Sequence, residues 1–435
     1  MQKQESVFEE RIALAAEKYS DEIIRIGRKI LADPEMGFFE KKTSALVRSE
    51  FDKLGVEYSY PHALTGVKGV LHGKDAKYNV CIIGEMDCLK CAGHKFSDSS
   101  LNAHACGHNA QIAAMLGAAY IIKNSGIYKE LDGSITFMAV PAEEFIDLDT
   151  RRSLVESGRI KYMSGKQQLI SEGAFDDIDM AIMLHARPDE PNGRVYVRGF
   201  NLGFVSQKIT FNGKAAHGST PQDGINALNA AALAILGFHS NRETFCDDER
   251  IRIHPIITKG GDVVNSVPDE VCIESYVRGA TLGAIKKGEN AVKRSVYGAA
   301  QIIGANAKIE RTPGYLPLCE SGELSEVLEK ASERIFGEGC LVFGKEITGS
   351  TDMGDLSCIM PVVQPSIGGF DGKLHSKEFS VEDENIAYVK AAQVLALTAV
   401  MLLSDGGKKA ENVAKNFHAK MTKEEYINYL NNEGD

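Results

Sequence analysis

Asn79 to Asp87 reads NVCIIGEMD, an apolar run that ends abruptly on Glu85 and Asp87. Val80 to Gly84 is short and shows no alternation, so it predicts a strand covered on both faces, as in the interior of a parallel sheet. The same pattern recurs twice downstream. ITFMAV (Ile135 to Val140) passes through Pro141 into Glu143 and Glu144, and MAIML (Met180 to Leu184) passes directly into His185. Helical stretches separate the three runs, and this alternation predicts an α/β fold with a mixed, largely parallel sheet flanked by helices. Ligands of such sheets bind beyond the carboxyl ends of the strands. Here every predicted strand ends in a group able to hold a metal or move a proton. A core does not gather carboxylates and imidazoles in this way unless something offsets their charge.

Outward from that sheet, helical spacing covers about Glu5 to Leu31 and Ser44 to Leu54. From Gly203 the character changes. FVSQKITFNG is β-like, Gly224 to His239 is an Ala-rich helix, Arg252 to Ile257 and Glu270 to Arg278 are strands, Thr281 to Ile303 is a helix, and Ala307 to Arg311 is a last strand. The order β-α-β-β-α-β predicts a ferredoxin-like α+β domain. It spans 203–311 and is inserted into a larger domain formed by 1–202 and 312–435.

With 435 residues and 43% hydrophobic content, the chain can bury a large core. Its net charge of -11, with Lys and Arg scattered along the chain, offers no positive field for nucleic acid. Ala391 to Leu403 is the longest apolar run and falls short of the roughly 20 residues a membrane span needs, so it predicts a buried helix and no membrane partner. The charged N-terminus shows no secretion-signal pattern, and nine cysteines without framework spacing fit reduced thiols. A cytoplasmic protein is expected.

HACGHNAQIAAMLGAA adds Cys106 and His108 at the mouth of a helix, where the dipole and free N–H groups favour a thiolate. A thiolate and an imidazole one residue apart suit Zn²⁺ or Mn²⁺. Taken singly, each residue reads as an ordinary core cysteine or helix-start histidine. Together with Glu144, His185 and a late His375 in GGFDGKLHS, they converge on metal chemistry. Adjacent side chains leaving a strand point in different directions, so Glu144 is assigned to metal and Glu143 to protons. Two alternatives stay open: a cysteine hydrolase using Cys106 with His108 or His104, and a catalytically inactive protein that binds acyl-amino acids.

GEMDCL, HACGHN, PAEE, LHARP, AAHGSTPQDGINAL and LHSKEF, in that order, resemble the aminoacylase/carboxypeptidase-like metallopeptidase family along nearly the whole chain. They look most like its amidohydrolase branch of hippurate hydrolase, indole-acetyl-amino-acid hydrolase and aminobenzoyl-glutamate hydrolase. The resemblance implies a zinc-peptidase-like catalytic domain and two divalent metal ions, Zn or Mn, bridged by Cys106 and completed by His108, Glu144, His185 and His375. It implies Glu143 as general base to a metal-activated water, and Asp87 as an orienting group. The substrate would be a small-molecule N-acyl or N-aroyl amino acid or a dipeptide-like amide. The inserted domain would act as a lid and homodimer contact, with His217 reaching the partner's site to help hold the oxyanion, and with Asn265 and Arg278 binding the substrate carboxylate. From the residues alone, His217 reads as a turn histidine ahead of a helix capped by Ser219 or Thr220, and Arg278 as the surface partner of Glu274. Asn109, Gln111 and the CLKC of Cys88 to Cys91 depart from the common pattern of the branch; Asn109 fits its aminobenzoyl-glutamate-like members.

Overall fold

The computed structural model describes residues 2–188, 193–344 and 349–431. Contacts divide the chain into two compact units, one made of Met1–Phe200, Cys319–Glu346 and Asp355–Asp435, the other of Asn201–Leu318 and Ile347–Gly354.

The first unit is built on a six-stranded sheet in the order Glu57–His62, Gly66–His72, Ser134–Val140, Asn79–Glu85, Met180–Ile182, Val362–Val363. The first two junctions are antiparallel and the other three parallel. This is the mixed sheet expected from the apolar runs, and Ser134–Val140 is buried at every position, as a strand covered on both faces must be. Asn79–Glu85 lies between Ser134–Val140 and Met180–Ile182, so the three chemistry-bearing strands are direct neighbours and release their charged residues at one edge.

Helix His108–Ser125 packs against this sheet and is buried from His108 to Ile122. Its small residues allow that placement, and a Cβ at Gly84 would stand 3.0 Å from the Gln111 carbonyl oxygen. Helix Ala391–Leu403 is also buried at every position but Gln393, as its largely apolar run predicts. A stretch of wider π-type turns, Asn385–Lys390, continues it toward the N-terminus. In that stretch the ring of Tyr388 packs on Gly27 of helix Gln2–Ala32, where a Cβ would approach it to 2.7 Å.

The second unit is a four-stranded antiparallel sheet in the order Arg252–Lys259, Glu270–Gly279, Gly203–Asn212, Asn306–Pro313. Burial alternates residue by residue along Glu270–Gly279. Its inward face, with Val271, Ile273 and Val277, joins Ala230, Ala234, Val292 and Val296 of helices Ala227–Ser240 and Leu282–Ile303 in one core. The unit extends past 311 because Phe204 N–H bonds Tyr315 O at 2.8 Å and Leu202 N–H bonds Gly349 O at 3.1 Å. Helix Ala227–Ser240 is capped by Asn226, whose side chain accepts from Leu228 and Asn229 N–H, so the expected cap at Ser219 or Thr220 is corrected.

Helix Gly165–Glu172 lies tightly on the turn that follows Ser134–Val140. Gly165 N–H bonds Ala142 O at 3.1 Å, and a Cβ on Gly165 would fall 1.6 Å from the Pro141 carbonyl oxygen. Gly165→Ala is therefore expected to cost at least about 1–3 kcal/mol by overpacking against backbone. Urea unfolding measures this, and an unchanged midpoint would count against the close approach.

Candidate metal centre

Seven of the residues singled out from the sequence meet at the released edge of the first unit's sheet. Cys106 precedes helix His108–Ser125 by one residue, and the intervening Gly107 has φ +85°, with its Cβ position 2.5 Å from the Ala186 Cβ. Only glycine fits there, and it brings both Cys106 and His108 to the helix mouth. Cys106 Sγ lies 3.6 Å from His185 Nε2 and 3.3 Å from His375 Nε2. His375 Nε2 is in turn 3.4 Å from Glu144 Oε1. One donor atom from each of Cys106, His108 and His185 falls within 4.8 Å of the other two, and so does one from each of Cys106, Glu144 and His375. The sulfur is common to both sets.

Asp87 fixes the orientation of both sets. Its main-chain oxygen and Oδ1 lie 2.9 and 3.1 Å from His108 Nδ1, while Oδ2 accepts from Glu144 N–H at 2.9 Å. His108 is thereby turned with Nε2 toward the centre. That Nε2 and Glu144 Oε1 are buried and, among the described residues, make no hydrogen bond, although each lies within ion-pair distance of a neighbour. Buried polar atoms left without hydrogen bonds fit a divalent cation, and the thiolate–imidazole–carboxylate donor set suits Zn²⁺ or Mn²⁺. Glu143 turns away from its neighbour as expected: its Oε2 is 3.9 Å from His108 Nε2.

The electrostatics follow from this crowding. Burial alone would raise the Cys106 thiol, but the charges of His185 and His108 hold it well below its ordinary value. Burial opposes charge on His108 too, and the Cys106 thiolate and Asp87 nevertheless hold its imidazole well above 6.5. The hydrogen-bonded Cys106 sulfur first, and then the Glu144 carboxylate beside it, push His375 up to about 11. Cys88 and Cys91 behave differently: both are buried free thiols whose acidity burial weakens, so CLKC is a packed segment. Asn109 is likewise structural, donating to Tyr388 Oη at 3.1 Å.

Two residues that sequence reasoning left out, Glu40 and Arg151, hold the loop carrying Glu143 and Glu144, and a third, Lys166, holds Glu85. Ala142 has φ +56°, a strained value for a residue with a side chain. Its N–H is held by Glu40 Oε1 at 2.8 Å. Buried Arg151 donates to the carbonyls of Glu144 and Met163 and stacks on Phe38 with 5.4 Å to the ring centre. Lys166 pairs with Glu85, and Gln111 donates to the same carboxylate.

Within the second unit, His217 and Asn265 come together: His217 Nε2 is 3.1 Å from Asn265 Nδ2, and Nδ1 is 2.7 Å from Ser219 Oγ. His217 is exposed in its turn. Arg278 does not pair with Glu274. It donates to Ser350 Oγ at 2.7 Å and lies over Phe204 and Tyr276, because its partly buried strand position turns the guanidinium onto those rings.

A sequence model of peptidase family M20/M25/M40 matches residues 81–400. The IAA-amino acid hydrolase ILR1-like 2 of Arabidopsis thaliana is 26% identical over 419 residues, 92% of this chain and 89% of that protein. The YXEP protein of Bacillus subtilis, a dinuclear metal binding peptidase of the M20 family, superposes with a TM-score of 0.72 at 22% identity, over 89% of this chain and 99% of that one. The aminobenzoyl-glutamate utilization protein of Klebsiella pneumoniae superposes with a TM-score of 0.66 at 19% identity, over 91% of this chain and 99% of that one.

Glu40 gives this neighbourhood a pH signature. Burial first, and then the charge of Asp87, push its carboxyl up to about 8 from an ordinary 4.5. The folded state therefore holds this proton more tightly than the unfolded state. The stability it contributes is full below about 4.5 and is lost as pH rises toward 8. Glu40→Gln keeps an oxygen for Ala142 N–H and removes the titration. Urea unfolding of metal-free protein between these limits is expected to show wild type losing stability relative to the variant as pH rises, and parallel profiles would contradict the assignment.

Proposed function

The chain belongs to peptidase family M20/M25/M40, a family of amide-bond hydrolases, and on that footing we propose that it hydrolyses N-acyl or N-aroyl amino acids, or small dipeptide-like amides, with two divalent cations, Zn²⁺ or Mn²⁺, at the Cys106 centre. The observation that carries this reading is the pair of donor sets sharing the Cys106 sulfur. Cys106 would hold both ions, His108 and His185 one of them, Glu144 and His375 the other. Bound there, the ions would supply Lewis acidity toward the scissile carbonyl and toward water.

The protein's own groups do the rest. Glu143, buried and next to the His108 side of the centre, takes the proton of the attacking water and returns it to the leaving nitrogen. Asp87 keeps His108 and Glu144 in register throughout, because it binds the ring of one and the backbone of the other. His217, steadied by Ser219, reaches the site of a second copy of the chain and helps hold the oxyanion there. Arg278 spends one donor on Ser350 and, among the described residues, keeps the others for a substrate carboxylate, with Asn265 as its companion. The conjugate hydrolase and aminobenzoyl-glutamate relatives support an amino-acid conjugate as substrate.

The second unit is proposed to pair with a second copy of the chain. Its edge strand Arg252–Lys259 leaves Ile256 and Ile257 exposed, and Val263 and Val264 beyond it are exposed as well. All nine cysteines are free thiols, which supports action in a reducing compartment such as the cytosol.

Glu143→Gln is expected to bind metal with wild-type stoichiometry while kcat falls by a factor of roughly 10² or more. A panel of N-acyl and N-aroyl amino acids with Zn²⁺- or Mn²⁺-reconstituted protein reads this, and full turnover by the variant would remove Glu143 from its role. Turnover that persists in chelator and stops on alkylation would point to Cys106 as nucleophile. In sedimentation, wild type is expected as a dimer and Ile256→Lys/Ile257→Lys as a monomer; a wild-type monomer would overturn the pairing.

A further inference from the structure

Lys166 has no exposed surface, and its ammonium meets Oε1 of the equally buried Glu85 at 2.5 Å. Oε2 of that carboxylate accepts from Gln111 Nε2 at 2.9 Å and stands 3.2 Å from His108 Nε2, the ring atom that Asp87 leaves facing the centre. Glu85, His108 and Glu143 thus form a third group of donor atoms within 4.8 Å of one another. A buried ion pair is weak evidence of stabilisation, since an apolar pair of similar volume is often as stable. The position of this pair is the informative part. An anionic carboxylate beside a cation-facing imidazole nitrogen is itself a donor for that cation, and hydrolytic sites work only while one coordination position stays open.

We propose that Lys166 is a positioning residue that ties Glu85 back, keeping this carboxylate from closing the open position beside His108. The inference rests on the two-ion reading above. With Lys166 in place, binding a cation through Glu85 would set a second positive charge against a carboxylate already neutralised. Gln111 adds a restraint on the same side chain, and its Oε1 accepts the Glu85 N–H at 3.2 Å. Without Lys166, Glu85 becomes an uncompensated anion within reach of the centre, and ligation is the way it regains a partner.

The test compares wild type, Lys166→Met and the double variant Lys166→Met/Glu85→Gln, each loaded with Co²⁺, whose visible absorption reports coordination number. Bound metal is counted, and kcat and KM are measured with the N-acyl amino acid that wild type cleaves best. Wild type is expected to take up two ions; if it takes up none, the two-ion reading falls before this inference is reached. Lys166→Met is expected to keep both ions, to show the weaker bands of a higher coordination number, and to lose kcat roughly ten- to a hundredfold with little change in KM. The double variant has no carboxylate left to intrude and is expected to regain the wild-type spectrum and most of the turnover. Loss of an ion from Lys166→Met, a wild-type spectrum and kcat in that variant, or a double variant no better than the single one would each overturn the proposal. Should Lys166→Met not fold, the double variant, which buries no unpaired charge, decides: a wild-type spectrum agrees with the proposal, and a lost ion or altered spectrum contradicts it.

Discussion

Asp87 is the hinge of the arrangement. One carboxylate fixes the ring of His108 and the backbone of Glu144, which stand in different donor sets around Cys106. Burial works against its charge, and His108 still holds it below the ordinary carboxylate range. It stays an acceptor for both partners at once, and the spacing between the two sets follows from the size of a single side chain. The sheet makes this possible, because parallel neighbours Asn79–Glu85, Ser134–Val140 and Met180–Ile182 bring Asp87, Glu144 and His185 out together.

Gathering so many acids in one buried place has to be offset, and the fold does so with distinct devices. Lys166 neutralises Glu85, and Arg151 spans the carbonyls of Ala142 and Glu144. Glu40 instead holds its proton up to about 8, which lets it support Ala142 without adding another negative charge at neutral pH. Glycines set the distances: Gly107 lets the helix mouth approach Ala186, and Gly165 lets the Lys166 helix lie against Pro141. Backbone strain at Ala142 is tolerated because Glu40, Arg151 and Gly165 all fasten the same turn.

The sequence showed most of the framework, for physical reasons. A strand buried on both faces is written as an unbroken apolar run, and a charged residue at its end is conspicuous, so Asp87, Glu143, Glu144 and His185 could be singled out. The inserted unit was visible because hydrophobic spacing switches there between strand and helix periods. Lys166, Arg151 and Glu40 escaped notice, since a single charged residue in a polar helix such as GKQQLISE looks like solvated surface until tertiary packing covers it. For Arg278 the sequence left an ion pair with Glu274, on the same strand face, open beside substrate binding, and the guanidinium instead lies over the rings of Phe204 and Tyr276. The unit's boundary moved past 311 because Tyr315 and Gly349 are held by backbone bonds, which leave no mark on side-chain pattern.

Anomalous diffraction from crystals grown with Zn²⁺ or Mn²⁺ tests the central claim most directly. Two peaks are predicted beside the Cys106 sulfur, one near His108 and His185 and the other near Glu144 and His375. A single peak away from Cys106, or no peak among these residues, would contradict the account.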